Sequence, residues 1–145
     1  MNNKQKGIIY SAFPGTGKSF YYNKYLVHSD RIILDSDSSK FDKSKFPENY
    51  MNHIKDNINK AHIMFVSSHE EVRNALVANA LSFTLIYPHI SLKDEYIERY
   101  KDRGNSSLFI KLMNENWERW ILGCQEQLGC KHIVLPSMIF INDVI

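Results

Sequence analysis

The stretch AFPGTGKS at residues 12–19 lies between an apolar run, residues 7–12, and a helical pattern that begins at Lys18. Its glycines, Gly15 and Gly17, permit backbone angles and close approaches that a Cβ would obstruct. In such a loop, successive main-chain N–H groups turn inward, and the N-terminal end of the following helix adds partial positive charge. The stretch therefore predicts a strand, an anion-binding loop and a helix in direct succession.

The residue types in this loop indicate which anion it binds. Lys18 is expected to reach the β- and γ-phosphates of a nucleoside triphosphate, and the Ser19 hydroxyl to ligate magnesium. Ala12 replaces the glycine that usually starts the pattern, so the turn there must tolerate a Cβ. A glycine turn with an incidental lysine is the alternative, but the flanking strand and helix favour binding of ATP with Mg²⁺. The residues expected at ATP are Pro14, Gly15, Thr16, Gly17, Lys18, Ser19 and Phe20.

Short β-rich runs and longer helical patterns alternate along the rest of the chain. This alternation predicts an α/β domain over residues 1–145, with a five-stranded parallel sheet, right-handed crossovers and helices on both faces. The predicted strands are 7–12, 31–35, 62–66, 82–87 and 132–135. The predicted helices are 18–27, one that starts at Pro47, one capped by Ser68 that ends near 79, 91–103 capped by Ser91, about 108–124, and a short one within 140–145.

Composition narrows the classes of function. The chain has 145 residues with 18 basic and 16 acidic side chains, a net charge of +2, which argues against nucleic-acid binding by bulk electrostatics. We find no apolar run of membrane-spanning length and no secretory signal at the start, so no membrane partner is expected. Cys124 and Cys130 are too few for a disulfide framework, and a cytoplasmic location is the simplest expectation.

Two carboxylates follow the second predicted strand. Asp35 and Asp37 come after the apolar run 32–34, and residues two apart in an extended chain point to the same side. Both are therefore expected at the carboxyl end of the strand, where open α/β sheets bind their ligands. One can accept a proton from an attacking hydroxyl or hold magnesium through water, while the other fixes the acceptor. The alternative is a polar loop whose aspartates cap a turn.

Two arginines distinguish the predicted helix 91–103. Arg99 and Arg103 fall outside its charged arc, and inward-facing guanidinium groups need anionic partners such as a bound phosphate. The alternative is a Glu95–Arg99 pair along the helix, with Arg103 favoured by the helix C-terminus. Gly104 and Asn105 would suit a hinge. The arc expected to face solvent holds Asp94, Glu95, Glu98, Lys101 and Asp102.

Taken together, the motifs resemble the small-molecule kinase branch of P-loop proteins, which holds nucleoside monophosphate, shikimate and gluconate kinases. Four stretches are similar in sequence and order: FPGTGKS (13–19), LDSDSSKF (34–41), VSSHEEVRNAL (66–76) and ERYKDRGN (98–105). Short bacteriophage proteins described as deoxynucleoside monophosphate kinases are the closest in appearance, and a phage origin would imply the host cytoplasm. The third strand lacks the magnesium-supporting aspartate of motor ATPases and GTPases, which favours a small kinase.

The resemblance implies a three-layer P-loop NTPase fold with a helical lid at about 91–116. It also implies roles for individual residues. Lys18, Asp35, Arg99 and Arg103 would be catalytic, with magnesium held by Ser19 and, through water, Asp35. Asp37, Ser68, His69 and Arg73 would bind the acceptor. For His69 the alternative is a helix-start residue, and for Arg73 a surface residue paired with Glu70.

Three functions stay open from sequence. The leading hypothesis is transfer of the γ-phosphate of ATP to a (deoxy)nucleoside monophosphate by a monomer or homodimer. A second keeps the mechanism but changes the acceptor to a sugar acid or a polynucleotide 5′-hydroxyl. A third is a nucleotide-binding regulator without transfer activity. Trp117, Trp120 and Cys124 are predicted to be core residues of the long helix, whose apolar pattern also includes Leu108 and Leu112.

Overall fold

Five strands form one sheet in the computed structural model, which describes residues 5–26 and 30–145. The strands are β1 (Ile8–Ala12), β2 (Ile33–Asp35), β3 (Ile63–Val66), β4 (Phe83–Pro88) and β5 (Lys131–Leu135). Their order is β2-β3-β1-β4-β5, and all neighbouring pairs are parallel. This confirms the predicted α/β class with five parallel strands. Residues 1–4 and the predicted end of the first helix at Val27 lie outside the described residues.

Helices cover both faces of this sheet. They are α1 (Lys18–Leu26), α2 (Glu48–Ile58), α3 (Glu70–Ala78), α4 (Lys93–Asp102), α5 (Ser107–Gln125) and α6 (Ile141–Val144). In β3, Ile63 and Phe65 pack with residues of α1 and α6, while Met64 and Val66 pack with residues of α2 to α5. Successive strand residues point to opposite faces, so the two clusters lie on opposite sides of the sheet. None of the described helices combines the length and apolar character needed to cross a membrane.

The strand order places a crevice at the centre of the sheet. β1 and β3 are neighbours, yet the helices that follow them, α1 and α3, pack on opposite faces. The loops after the two strands therefore separate at their carboxyl ends, which is where open α/β sheets bind ligands. The loops that border this crevice are residues 13–17 and 67–69.

Three predicted helix starts need correction. Pro47 is the residue before α2 rather than its first residue. His69, not Ser68, precedes α3, because the chain is still extended there and Ser68 is buried. Ser91 lies in a short 3₁₀ turn before α4, and its hydroxyl bonds the preceding histidine instead of capping the helix.

The buried stripe of α5 is narrower than predicted. Met113 and Trp117 are buried in the core, as Cys124 is. Leu108 and Leu112, which belong to the predicted apolar pattern, are 67 % and 43 % exposed, because they flank this stripe instead of lying on it. Trp120 is half-buried: it packs against the core, as predicted, and also lines a cavity.

Candidate functional site

The loop between β1 and α1, which we call the glycine loop (Ala12–Ser19), has the backbone that its glycines predict. Gly15 and Gly17 are left-handed, with φ of +87° and +98°. A Cβ on Gly15 would also lie 2.8 Å from the Tyr100 ring. The Thr16 hydroxyl donates to a carbonyl within the loop at 2.7 Å and is buried, so Thr16 stabilises the loop from inside.

The alanine in place of the usual first glycine belongs to β1. Ala12 is buried in the core, and the next residue, Phe13, still donates its main-chain N–H to the Ile86 carbonyl at 2.9 Å. The sharp part of the turn therefore begins after Ala12. A Cβ at this position points into the core and does not obstruct the loop.

A cavity of about 880 Å³ opens in front of the glycine loop. It brings together residues that the sequence singled out separately: Pro14, Gly15, Gly17, Lys18, Ser19, Phe20, Asp37, Ser68, His69, Arg99 and Arg103. It is also lined by residues that the sequence did not place at the site: Ser67, Asp102, Asn105, Phe109, Phe140, Asn142 and Asp143. Three predicted site residues do not line this cavity: Thr16 is buried beneath the loop, Arg73 lines a neighbouring cavity, and Asp35 lies beside Lys18, with which it pairs.

Lys18 connects the glycine loop to the end of β2. Its ammonium lies 3.4 Å from the Asp35 carboxylate, and the two side chains are 28 % and 24 % exposed. Ser19, the next residue, is exposed at the first turn of α1. The ammonium thus lies at the cavity wall, where it can pair with a second anion without leaving Asp35.

Asp37 and His69 face the cavity from the loops after β2 and β3. The Ser39 main-chain N–H donates to Asp37 at 2.9 Å, and this bond, followed by the Ser39 hydroxyl, lowers the pKa of Asp37. Asp37 is therefore a poor base at neutral pH and a good hydrogen-bond acceptor. Burial lowers the pKa of His69, and Arg73 lowers it further, so the imidazole is neutral at pH 7.

Hydroxyl groups fix these loops relative to one another. Ser11 donates to the Ser67 carbonyl at 2.8 Å, and Ser67 donates in turn to the Ser38 hydroxyl at 2.7 Å. The buried Tyr50 donates to the Ser36 carbonyl at 2.6 Å. The ends of β1, β2 and β3 are thereby joined, and the position of the intervening Asp37 segment is set from both sides.

Arg99 enters the site with both terminal nitrogens already bonded to protein. Its Nη1 donates to the Gly15 carbonyl at 2.8 Å, and its Nη2 pairs with Glu95 at 2.9 Å. The guanidinium carbon lies 4.2 Å from the centre of the Tyr96 ring and 4.0 Å from that of Phe140. The Glu95–Arg99 pair, weighed in the sequence as the alternative to phosphate binding, is present.

Glu95 is the centre of this contact, and its predicted place on the solvent face is wrong. Its carboxylate accepts from the Ser137 hydroxyl, from the Met138 main-chain N–H at 3.1 Å and from Arg99. These bonds, that of Ser137 above all, lower the pKa of Glu95. We call Glu95, Arg99, Ser137 and Met138 the Glu95 clamp. A helical wheel does not reveal it, since two of its members lie between β5 and α6.

The C-terminal segment is joined to the glycine loop as well. The Ile141 main-chain N–H donates to the Thr16 carbonyl at 2.9 Å. A Cβ on Gly17 would lie 3.1 Å from the Phe140 ring. The short helix at 140–145 was predicted as an element, but its contact with the glycine loop has no sequence signal.

Arg103 differs from Arg99 in its surroundings. It is exposed, and its Nε donates to the Asn105 side chain at 3.2 Å. Gly104 has φ of +78°, with no atom within 4 Å of the place where a Cβ would lie. The prediction that both arginines face inward is therefore correct for Arg99 and wrong for Arg103, which borders the cavity from solvent.

The first helix of the predicted lid is held by the core. Tyr96 and Tyr100 of α4 are fully buried, and the Tyr100 hydroxyl donates to the Pro14 carbonyl at 2.7 Å. The longest largely exposed stretch of the predicted lid is 101–108, in which only Asn105 is half-buried. Motion of the lid stays a prediction, and this stretch is where the core restrains it least.

Arg73 is not the surface residue that its sequence alternative describes. Its residue is only 5 % exposed, and its guanidinium donates to the Ser68 carbonyl at 2.6 Å and to the Gln127 side chain at 2.9 Å. It lines a second cavity of about 330 Å³ that shares Phe13 and His69 with the first. The expected pair with Glu70 does not form.

Comparison with known proteins does not identify a family for this chain. A scan against protein-family models finds no match to this chain, and a search of curated proteins finds no significant one. The function proposed below is therefore inferred from the residues at the cavity.

Proposed function

We propose that this chain is a P-loop phosphotransferase that moves the γ-phosphate of ATP to a small acceptor, most specifically a (deoxy)nucleoside monophosphate. The observation that carries the proposal is the position of Lys18. It follows two left-handed glycines, starts α1, and lines a cavity at the carboxyl ends of central parallel strands. The parallel sheet and this loop are compatible with a three-layer P-loop NTPase fold.

The residues present fit a triphosphate at the glycine loop. The main-chain N–H groups of the loop and the first turn of α1 would hold phosphate oxygens, and Lys18 would balance their charge. Phe20 is 62 % exposed at one side of the cavity, and Phe140 borders it from the C-terminal segment. Both rings offer apolar surface to the nucleobase of the donor.

The residues also fit magnesium bound mainly by substrate and water. The described residues contain no group of three or more His, Cys, Asp or Glu side chains placed to hold a metal ion. Mg²⁺ at phosphoryl-transfer sites keeps several waters and needs only one or two protein ligands. Ser19 and, through water, Asp35 would supply them. When bound, the ion would neutralise charge on the phosphates.

The remaining polar residues suit an acceptor in the same cavity. Asp37, with its low pKa, would accept hydrogen bonds from the acceptor and orient it. Asp35 lies beside Lys18, where it can place that ammonium or accept a proton from a hydroxyl acceptor. Arg103 would approach the transferring group from the exposed stretch and help to exclude water.

Two other acceptors, and a function without transfer, are less well supported. A polynucleotide acceptor would need a basic track, whereas the net charge is only +2. A sugar acid would fit the first cavity but leaves the aromatic second cavity without a role. A regulator without transfer activity would need neither Asp37 nor Arg103 at the cavity.

A substrate panel tests the proposal directly. The protein is incubated with ATP and Mg²⁺ and, separately, each nucleoside monophosphate, gluconate, shikimate or a 5′-hydroxyl oligonucleotide, and phosphorylated product is measured. Product from a nucleoside monophosphate supports the leading function, and product from another acceptor replaces it with the second. Binding of Mg·ATP without any transfer would favour the regulator, and calorimetry that registers no Mg·ATP binding would refute all three.

A matched pair of variants checks the site. Asp35→Asn should lose turnover and keep ATP affinity, because it removes a charge beside Lys18 without a change in shape. Asp56→Asn is the control, since Asp56 is an exposed residue of α2 away from both cavities. Equal activity of the two variants would remove Asp35 from the mechanism.

A further inference from the structure

The second cavity has the shape and lining of a site for a flat, mostly apolar group. It holds about 330 Å³ between the start of α3 and the long helix α5, and it adjoins the first cavity. Aromatic and aliphatic side chains form most of its walls. The polar side chains are those of exposed residues, His69, Glu70 and Arg119, and of two buried ones, Ser68 and Arg73. The side chains that form the apolar walls are Phe13, Phe109, Leu112, Met113 and Trp120.

A buried arginine borders this apolar space. The residue Arg73 is 95 % buried, yet no described carboxylate lies within 4.0 Å of its guanidinium. Its partners are the Ser68 carbonyl, the Gln127 side-chain oxygen and the Cys124 sulfur. Burial raises the pKa of Cys124 to about 11, so the thiol is neutral and does not compensate the charge. A buried guanidinium with neutral partners favours a further electronegative group.

One nitrogen of this arginine is free to bind a ligand. Nε and Nη1 of Arg73 make the bonds just named, whereas Nη2 has no protein acceptor. Among the described residues, the only fully enclosed side-chain nitrogen or oxygen without a partner is Tyr96 Oη, so Nη2 keeps some accessible surface, and its residue lines the second cavity. It lies beside Gly123 of α5, where a Cβ would come within 3.3 Å of it.

Among the charged residues of this lining, Arg73 is the buried one, and its free Nη2 limits the kind of group that it binds. A phosphate would leave water for a mostly apolar lining and find only one nitrogen of Arg73, without the two-pronged contact that arginine usually makes with it. A planar ring with a carbonyl oxygen on its edge fits both the walls and the donor. On the edge of the base away from the sugar, guanine carries such an oxygen at O6 and thymine or uracil at O4, whereas adenine and cytosine carry an amino group in its place.

We infer that the second cavity binds the acceptor's base and that Arg73 Nη2 selects keto bases, so that the substrates are guanosine- and thymidine- or uridine-type monophosphates. This inference rests on the proposed function, since it places the acceptor phosphate in the first cavity beside Lys18. An amino group at the same place would set one hydrogen-bond donor against another and leave Arg73 Nη2 without an acceptor.

Turnover of four nucleotides tests this selection. With ATP and Mg²⁺, kcat/KM for dGMP and dTMP should exceed that for dAMP and dCMP by about 10- to 100-fold. Equal turnover of all four, or transfer to a sugar acid alone, would overturn the inference while the phosphotransferase survives. Calorimetry with each nucleotide in the absence of ATP separates the two claims, because keto-selective binding without transfer would sustain the inference and refute the proposed function. Neither binding nor transfer would refute both.

Two variants assign the selection to Arg73. Arg73→Met removes the donor and should bring the keto-to-amino ratio close to 1. Because this variant also loses the bonds to Ser68 and Gln127, Gly123→Ala provides a milder change. Its Cβ displaces Nη2 by a few tenths of an ångström in a helical position that favours alanine, and the ratio should fall several-fold with ATP affinity kept. Gln125→Ala, exposed on the same helix, is the control and should keep the ratio. An unchanged ratio in folded Gly123→Ala and Arg73→Met would overturn the assignment.

Discussion

Replacement of Glu95 by glutamine should loosen the contact between α4 and the segment before α6. The Glu95 carboxylate accepts from Arg99 at 2.9 Å, from Met138 at 3.1 Å and from the Ser137 hydroxyl. Glutamine keeps one acceptor oxygen but turns the other into a donor and removes the charge. A charge-assisted hydrogen bond contributes about 1.5–3 kcal/mol to stability. The contribution here should lie toward the lower part of this range, because the Glu95 side chain is 22 % exposed and water screens its charge. The expected loss is about 2 kcal/mol, or about 4–8 °C in Tm. Urea and thermal unfolding measure it.

A neighbouring substitution is the control for this experiment. Glu98→Gln removes an exposed carboxylate of the same helix, whose only described ion pair, with Lys101, spans 3.9 Å. It should change the free energy of unfolding by less than about 0.5 kcal/mol. If Glu95→Gln and Glu98→Gln have the same Tm, the Glu95 clamp does not stabilise the fold.

The effect of Glu95 also has a defined pH dependence. Hydrogen bonds, that of Ser137 first, lower the pKa of Glu95 below its ordinary value of 4.5. A carboxyl with a lowered folded-state pKa contributes stability at pH above the ordinary value, and this is lost as pH falls through the folded-state pKa. The difference in stability between the wild type and Glu95→Gln should therefore be constant near pH 7 and shrink below about pH 4.

Three further outcomes are expected. Lys18→Met should abolish transfer yet change the free energy of unfolding by less than about 1 kcal/mol, because the pair with Asp35 is partly exposed; activity assays and urea unfolding check both. Burial raises the pKa of Tyr50 and Tyr96 from 10.0 to about 12. The free energy of unfolding should therefore be unaffected by these groups below pH 10 and fall by about 1.4 kcal/mol per pH unit for each tyrosine between pH 10 and 12. Urea midpoints measure this fall, and absorbance at 295 nm measures the ionisation of the tyrosines. Gly104→Ala should cost about 1 kcal/mol in thermal unfolding through its φ of +78° alone, since nothing contacts the added Cβ.

The sequence predicted most accurately the features that short segments of the chain determine by themselves. The stretch 12–19 carries its own backbone requirements, and both of its glycines have the left-handed angles that the pattern demands. The apolar run of β3 predicted a buried strand because a parallel strand covered on both faces has no polar side. The approach of Asp37 to the cavity followed from the rule that ligands bind at the carboxyl ends of such strands.

Contacts between distant segments had no such signal. Glu95 bonds Ser137 and Met138, 42 and 43 residues away, so its charge alone suggested a solvent-facing position. Arg73 is buried because it bonds Ser68, Cys124 and Gln127, and the last two lie 51 and 54 residues away, where no local pattern points to them. Local patterns report which face of a helix is polar, but they do not report whether another segment covers that face.

Arg99 and Arg103, four residues apart and equivalent by pattern, are unequal in the fold. To reach a transferring phosphoryl group, Arg99 would have to give up the Gly15 carbonyl and Glu95 and leave two aromatic rings, at a cost of several kcal/mol. Arg103 would exchange one side-chain bond and a longer contact with the Tyr100 ring, whose centre lies 5.5 Å from its guanidinium carbon. The glycine after it lies in open space. We therefore expect Arg103 to be the arginine that moves onto the substrate. Arg99 remains as the link that keeps the glycine loop, α4 and the C-terminal segment in one arrangement, so the shape of the cavity does not depend on lid closure.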